Sequence, residues 1–159
     1  RFIIAPEGLN KFYIDGYSGR VGANWMTKEQ RADEIDDYCL YLEQLTDLIT
    51  KQAHQKYKIK IVGFSQGTAT VSRWILKTKY KIETLILWGG RIAFDFNFSL
   101  YKEKHSETIN YVVFGTEDEF YSQEDIQSYR KELSNFKTEW ISYNGGHTID
   151  TKTLKLFEN

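Results

Sequence analysis

The sequence predicts an α/β fold: a mostly parallel, twisted sheet with helices on both faces. Three observations carry that prediction. Short apolar, β-branched runs alternate along the chain with segments of helical period. The polar, chemistry-bearing residues follow directly after several of those runs, where open parallel sheets place their sites. One run, Ile61-Val62, passes straight into Gly63-Phe64-Ser65-Gln66-Gly67 and then into a helix-like stretch.

Taken in order, Arg1–Ala5 reads as a buried strand broken by Pro6 and Gly8. Residues 7–24, rich in Gly, Asn, Tyr and Asp, read as a long loop. Thr27-Lys28-Glu29-Gln30 fits a capping box, with Thr27 accepting from a first-turn amide. Ile35, Tyr38, Leu42, Leu45 and Ile49 then step by three or four, which predicts a core-facing helix to about Gln55. Lys58–Phe64 predicts a buried strand, and Thr68–Lys79 a helix with Val71, Ile75 and Leu76 in step. Glu83–Trp88 is strand-like. Residues 91–107 carry Phe94, Phe96, Phe98 and Tyr101 without a clean period. Ile109–Phe114 predicts a strand, Gln123–Phe136 a helix, and Trp140–Tyr143 the end of another strand. Thr148–Phe157 predicts a last helix, with Ile149 and either Leu154 or Leu156 facing inward.

Gly63-Phe64-Ser65-Gln66-Gly67 is a G-x-S-x-G pattern in the strand–turn–helix setting that a nucleophile elbow requires. The turn is tight, so a side chain at Gly63 or Gly67 is expected to clash with the neighbouring strand and helix. The alternative is an ordinary strand–glycine–helix corner with an idle serine. A serine hydroxyl needs a base to take its proton and an acid to orient that base. In this architecture they follow in the order serine, acid, histidine. Gly115-Thr116-Glu117-Asp118 follows one strand, and Asn144-Gly145-Gly146-His147 follows a later one. Asp118 competes with Glu117, Glu119 and Asp150. Of the other histidines, His54 lies in a helix-like polar run and reads as a solvated face. His105 sits among Lys and Glu and reads as a surface loop or helix.

The ordered set Gly63–Gly67, Gly115–Asp118 and Gly146-His147 resembles the α/β-hydrolases of the carboxylesterase and acyl-protein thioesterase branch. Ala5-Pro6-Glu7-Gly8 resembles that branch's A-P-x-G strand end, and Asn24-Trp25-Met26 its tryptophan before the next helix. The resemblance favours Asp118 as the acid and implies a Ser65–His147–Asp118 triad with the Gln66 amide in the oxyanion hole. It implies hydrolysis of a small-molecule ester or thioester through an acyl-enzyme, with no cofactor and no metal. It also places a further strand and a second oxyanion donor upstream of residue 1, so the expectation is a single domain over 1–159, incomplete at its amino end. Trp25, Phe64 and Phe94, with Phe96 and Phe98, are candidates for an acyl pocket, and core packing is the competing role for each.

Composition narrows the classes. A formal net charge of -1 gives no electrostatic case for nucleic acid or an acidic membrane. No apolar run approaches the length of a bilayer span, so stable membrane insertion is not expected. Cys39, the single cysteine, cannot form an internal disulfide; it reads as a buried thiol in a reducing, cytoplasmic setting. No His/Cys/Asp spacing suits a metal. A homodimer is kept open as a partner state. The rivals to a hydrolase are a non-catalytic binding module on the same fold and an acyltransferase or peptidase using the same triad.

Overall fold

A computed structural model describes residues 2–53 and 56–158; the expectation for His54 lies outside them. The chain divides into two compact units, residues 1–57 and 58–159.

In the first unit, residues 2–7 have no regular secondary structure, and Phe2 is 94% exposed. The expected first strand is absent there because an apolar run becomes a strand only with a ladder partner. The expected loop is instead a hairpin, β1 (Asn10–Asp15) and β2 (Ser18–Asn24), antiparallel with Asp15 opposite Ser18. Gly16, at φ 68°, opens its two-residue turn. Glycine at that position is what a type II′ hairpin turn demands. Helix α1 (Arg31–Lys51) starts later and ends earlier than expected. Thr27 makes no capping box. Its amide and hydroxyl bond the Glu34 carboxylate, and Gln30, at φ 43°, precedes the first turn. Tyr38, Cys39 and Leu42 are its buried residues.

The second unit holds a four-stranded parallel sheet in the order β3-β4-β5-β6: Ile59–Phe64, Ile82–Trp88, Ile109–Gly115 and Thr138–Tyr143. Connections run through α2 (Gln66–Lys77), α3 (Phe98–His105) and α4 (Gln123–Glu132). Side-chain alternation sorts the two faces. Toward the helices point Gly63, against Val71 of α2; Asn110, bonded by the Tyr101 hydroxyl of α3 at 2.6 Å; and Trp140, edge-on to Tyr129 of α4. On the other face Phe64, Ile86, Trp88, Val113 and Tyr143 form a core with Phe157. The three connecting helices thus cover one face, and the segment around Phe157 covers the other in part, leaving Val62 of β3 44% exposed.

The last helix is shorter than expected. It is α5 (Thr151–Leu154), capped by Asp150, followed by a 3-10 turn at Lys155–Phe157. Thr153 and Phe157 are buried, whereas Ile149, Leu154 and Leu156 are exposed. A single helical turn running into a tighter 3-10 turn shifts the inward position. Residues 91–107 also order themselves: Asn97 caps α3 through the Leu100 amide, and Phe96, Phe98, Tyr101 and Phe136 pack as an aromatic cluster. Phe96 and Phe98 thus serve the core. His105 is no surface residue; it is 5% exposed, with Nε2 2.8 Å from the Ile75 carbonyl. Among the described residues no helix is long and apolar enough to cross a membrane.

Candidate active site

Strand β3 delivers Ser65 to the carboxyl edge of the sheet in a backbone conformation that L-residues seldom adopt, φ 53° and ψ −120°. Such strain costs about 1–3 kcal/mol and persists only where its surroundings hold it. Here the Ser65 amide donates to the Trp88 carbonyl of β4 (2.9 Å), and the Ser65 carbonyl accepts from the Thr68 amide (3.0 Å). The Thr68 hydroxyl lies 2.7 Å from the Ser65 carbonyl and 2.8 Å from that of Arg91, so it ties the turn to the segment after β4. Gly63 permits the close approach: a Cβ there would stand 2.6 Å from the Gly67 carbonyl oxygen. The expectation of a clash fails at Gly67, where an added Cβ meets nothing within 4 Å. The crowding is one-sided, because the helix start packs on Gly63 while Gly67 faces open space.

The exits of β5 and β6 are zipped together. The Thr116 amide donates to Tyr143 and the Glu117 amide to Gly145, both at 2.9 Å. Gly115 lies so close to the second loop that a Cβ would stand 2.2 Å from the Gly145 oxygen. This juxtaposition brings Asp118 to His147. The Asp118 carboxylate is fully buried; one oxygen accepts from the Phe120 amide (3.0 Å) and the other meets His147 Nδ1 at 2.9 Å. The carboxylate assigns the proton to Nδ1 and leaves Nε2 as a proton acceptor. The imidazole is held between two rings, Phe64 at 4.9 Å and Phe120 at 4.6 Å between centroids. It also lies over the end of β4, where a Cβ on Gly89 would come within 3.4 Å of it. The Tyr121 phenol beside the acid is held above its ordinary pKa, first by burial and then by the Asp118 charge, so it stays neutral.

Ser65, Gln66, Phe64, Asp118 and His147 therefore share one edge of one sheet. Gln66 is the first residue of α2. Phe94 is 82% exposed, with the Arg73 guanidinium 5.7 Å over its ring. Trp25 belongs to the first unit, where it packs edge-on to Tyr38 and against Tyr41. Phe120 was not among the sequence candidates; an aromatic residue two places after the acid was its only signal. An open groove of about 600 Å³, lined by Lys77, Lys81, Lys104 and Thr108 among others, lies at the opposite, amino end of the sheet, remote from these groups. Among the described residues no three His, Cys, Asp or Glu side chains gather as a metal site.

The phospholipase/carboxylesterase family model matches residues 22–159. No curated protein matches the chain. Solved structures share its fold. SOBER1 from Arabidopsis thaliana is 21% identical, with 88% of this chain and 73% of that chain covered at a TM-score of 0.64. A carboxylesterase from Mesorhizobium loti is 16% identical over 94% of this chain and 70% of that one, at 0.67. Zea mays acyl-protein thioesterase 2 is 14% identical over 87% and 71%, at 0.61. With the match extending over most of the sequence, the chain belongs to the phospholipase/carboxylesterase family of esterase-type α/β-hydrolases.

Proposed function

We propose that the protein hydrolyses carboxylic esters or thioesters through an acyl-enzyme on Ser65. The observation that carries this reading is the pairing of His147 with the buried Asp118 carboxylate on the sheet edge that also holds the strained Ser65. His147 Nε2 takes the Ser65 proton as the oxygen attacks the substrate carbonyl carbon. Asp118 keeps the imidazole in the Nδ1–H tautomer and stabilises the cation that forms. The amide of Gln66, at the positive end of α2, donates to the tetrahedral oxyanion. Collapse of that intermediate breaks the bond to the alkoxide or thiolate, which takes the proton from His147. A water molecule then repeats the attack and releases the acid. No cofactor enters this scheme. Phe64 and Phe120, flanking the imidazole, give the reacting carbonyl an apolar setting.

Replacement Ser65→Ala tests the reading. Turnover of a p-nitrophenyl ester should vanish while the circular dichroism spectrum stays that of the parent chain. Parental turnover in that variant would refute the assignment. A protein that folds, binds esters and never turns them over would favour the binding-module reading instead.

A further inference from the structure

His147 sits at the centre of a three-residue turn: the Thr148 amide donates to the Gly146 carbonyl at 2.9 Å. Its φ is not positive, so this is the inverse γ-turn that L-residues accept. Two buried side chains reach the carbonyls on either side of the histidine. The Tyr143 hydroxyl lies 3.0 Å from the Gly146 oxygen and closer still to that of Thr148. The Trp88 indole N–H donates to the Thr148 oxygen at 3.0 Å and lies 3.4 Å from the Tyr143 hydroxyl. Trp88 is fully buried, and Tyr143 stacks obliquely on it at 5.8 Å. Both come from rigid strand ends, β4 and β6. Trp88 also supplies the carbonyl that anchors the Ser65 amide. One residue thus touches the backbone of both the serine turn and the histidine turn.

We propose that Tyr143 and Trp88 are positioning residues, which set the His147 imidazole against Asp118 and in register with Ser65 by clamping the carbonyls of Gly146 and Thr148. The inference rests on the triad reading for its kinetic consequence, but its geometric content stands without it. A three-residue turn has one internal hydrogen bond and would otherwise sample several orientations. Displacing a catalytic group by about 1 Å costs on the order of a hundredfold in rate. The clamp acts on orientation alone, so substrate binding is untouched.

The test is Tyr143→Phe, which keeps the ring in its core and removes only the hydroxyl, with Trp88→Phe as a second, independent variant. In Tyr143→Phe, kcat for a p-nitrophenyl ester should fall about ten- to a hundredfold at unchanged KM. Fluorophosphonate labelling should be slower by a similar factor yet still run to completion, which a loss of folded protein would not produce. The low-field proton resonance of His147 Nδ1–H, assigned by its absence in His147→Gln, should move upfield or broaden in both variants. A folded Tyr143→Phe protein with parental kcat and an unmoved resonance overturns the inference. If the parent protein hydrolyses no ester, the triad reading fails, and the resonance alone still decides whether the clamp exists.

Discussion

Replacing Gly115 by alanine should injure the site without touching any reacting group. The new Cβ would stand 2.2 Å from the Gly145 oxygen and 2.5 Å from that of Gly146, where real Cβ atoms essentially never come under 3.0 Å. Both obstacles are backbone atoms, so no side chain can swing aside. The β5 and β6 exits must separate by about 0.8 Å to bring the 2.2 Å contact out to 3.0 Å. That movement strains the Glu117–Gly145 hydrogen bond and carries His147 away from Asp118. A shift near 1 Å corresponds to roughly a hundredfold in rate, or about 2.7 kcal/mol of transition-state stabilisation. Overpacking should cost a further 1–3 kcal/mol of stability. Steady-state kinetics with a p-nitrophenyl ester and urea titration of the same preparation measure the two quantities. Gly67→Ala is the control: it meets no atom within 4 Å and its φ is not positive, so the helix should gain up to about 1 kcal/mol. Parental kcat in Gly115→Ala, or marked destabilisation by Gly67→Ala, would refute the reasoning.

Asp118→Asn should reduce kcat by about 10⁴-fold, because a side-chain amide can turn the imidazole into the wrong tautomer; steady-state kinetics on the folded variant measure it. Phe157→Ala empties a site between Trp88 and Tyr111 and should cost about 3–5 kcal/mol in urea titration. His105 provides the pH dependence of stability. Burial holds its pKa below the ordinary 6.5, the Ile75 carbonyl opposes that shift, and the Lys104 charge adds to it. Below about pH 6.5 the unfolded chain therefore binds a proton that the folded chain refuses. Its contribution is intact above that pH and is lost as pH falls toward the lowered folded value. Unfolding midpoints measured across this range should fall less steeply with acidification in His105→Gln than in the parent.

Local chemistry made much of this protein readable. The serine turn is legible because Lys58–Phe64, the flanking glycines and the helical run behind them lie within about twenty residues. Asp118 and His147 were candidates because each follows a strand-like run, and only the resemblance favoured Asp118 over Glu117, Glu119 and Asp150. What escaped depends on partners far along the chain. Nothing near His105 signals burial; its partner carbonyl is thirty residues away in α2. Trp88 reaches Thr148 across sixty residues, so strand composition shows an apolar ring and hides the N–H. Phe2–Ala5 looks like a strand by composition but pairs with nothing among the described residues. The hairpin at 10–24 did have a local mark, Asp15-Gly16, masked by the polarity around it. Phe94 was an apolar candidate by type, and nothing local to it signals that it is exposed while Phe96 is buried.

The most direct measurement is the intact mass of the protein after exposure to a fluorophosphonate, followed by peptide mapping. The account predicts one adduct, located on Ser65, absent from Ser65→Ala and formed far more slowly in His147→Gln. An unmodified parent protein, or an adduct on another residue, would contradict it.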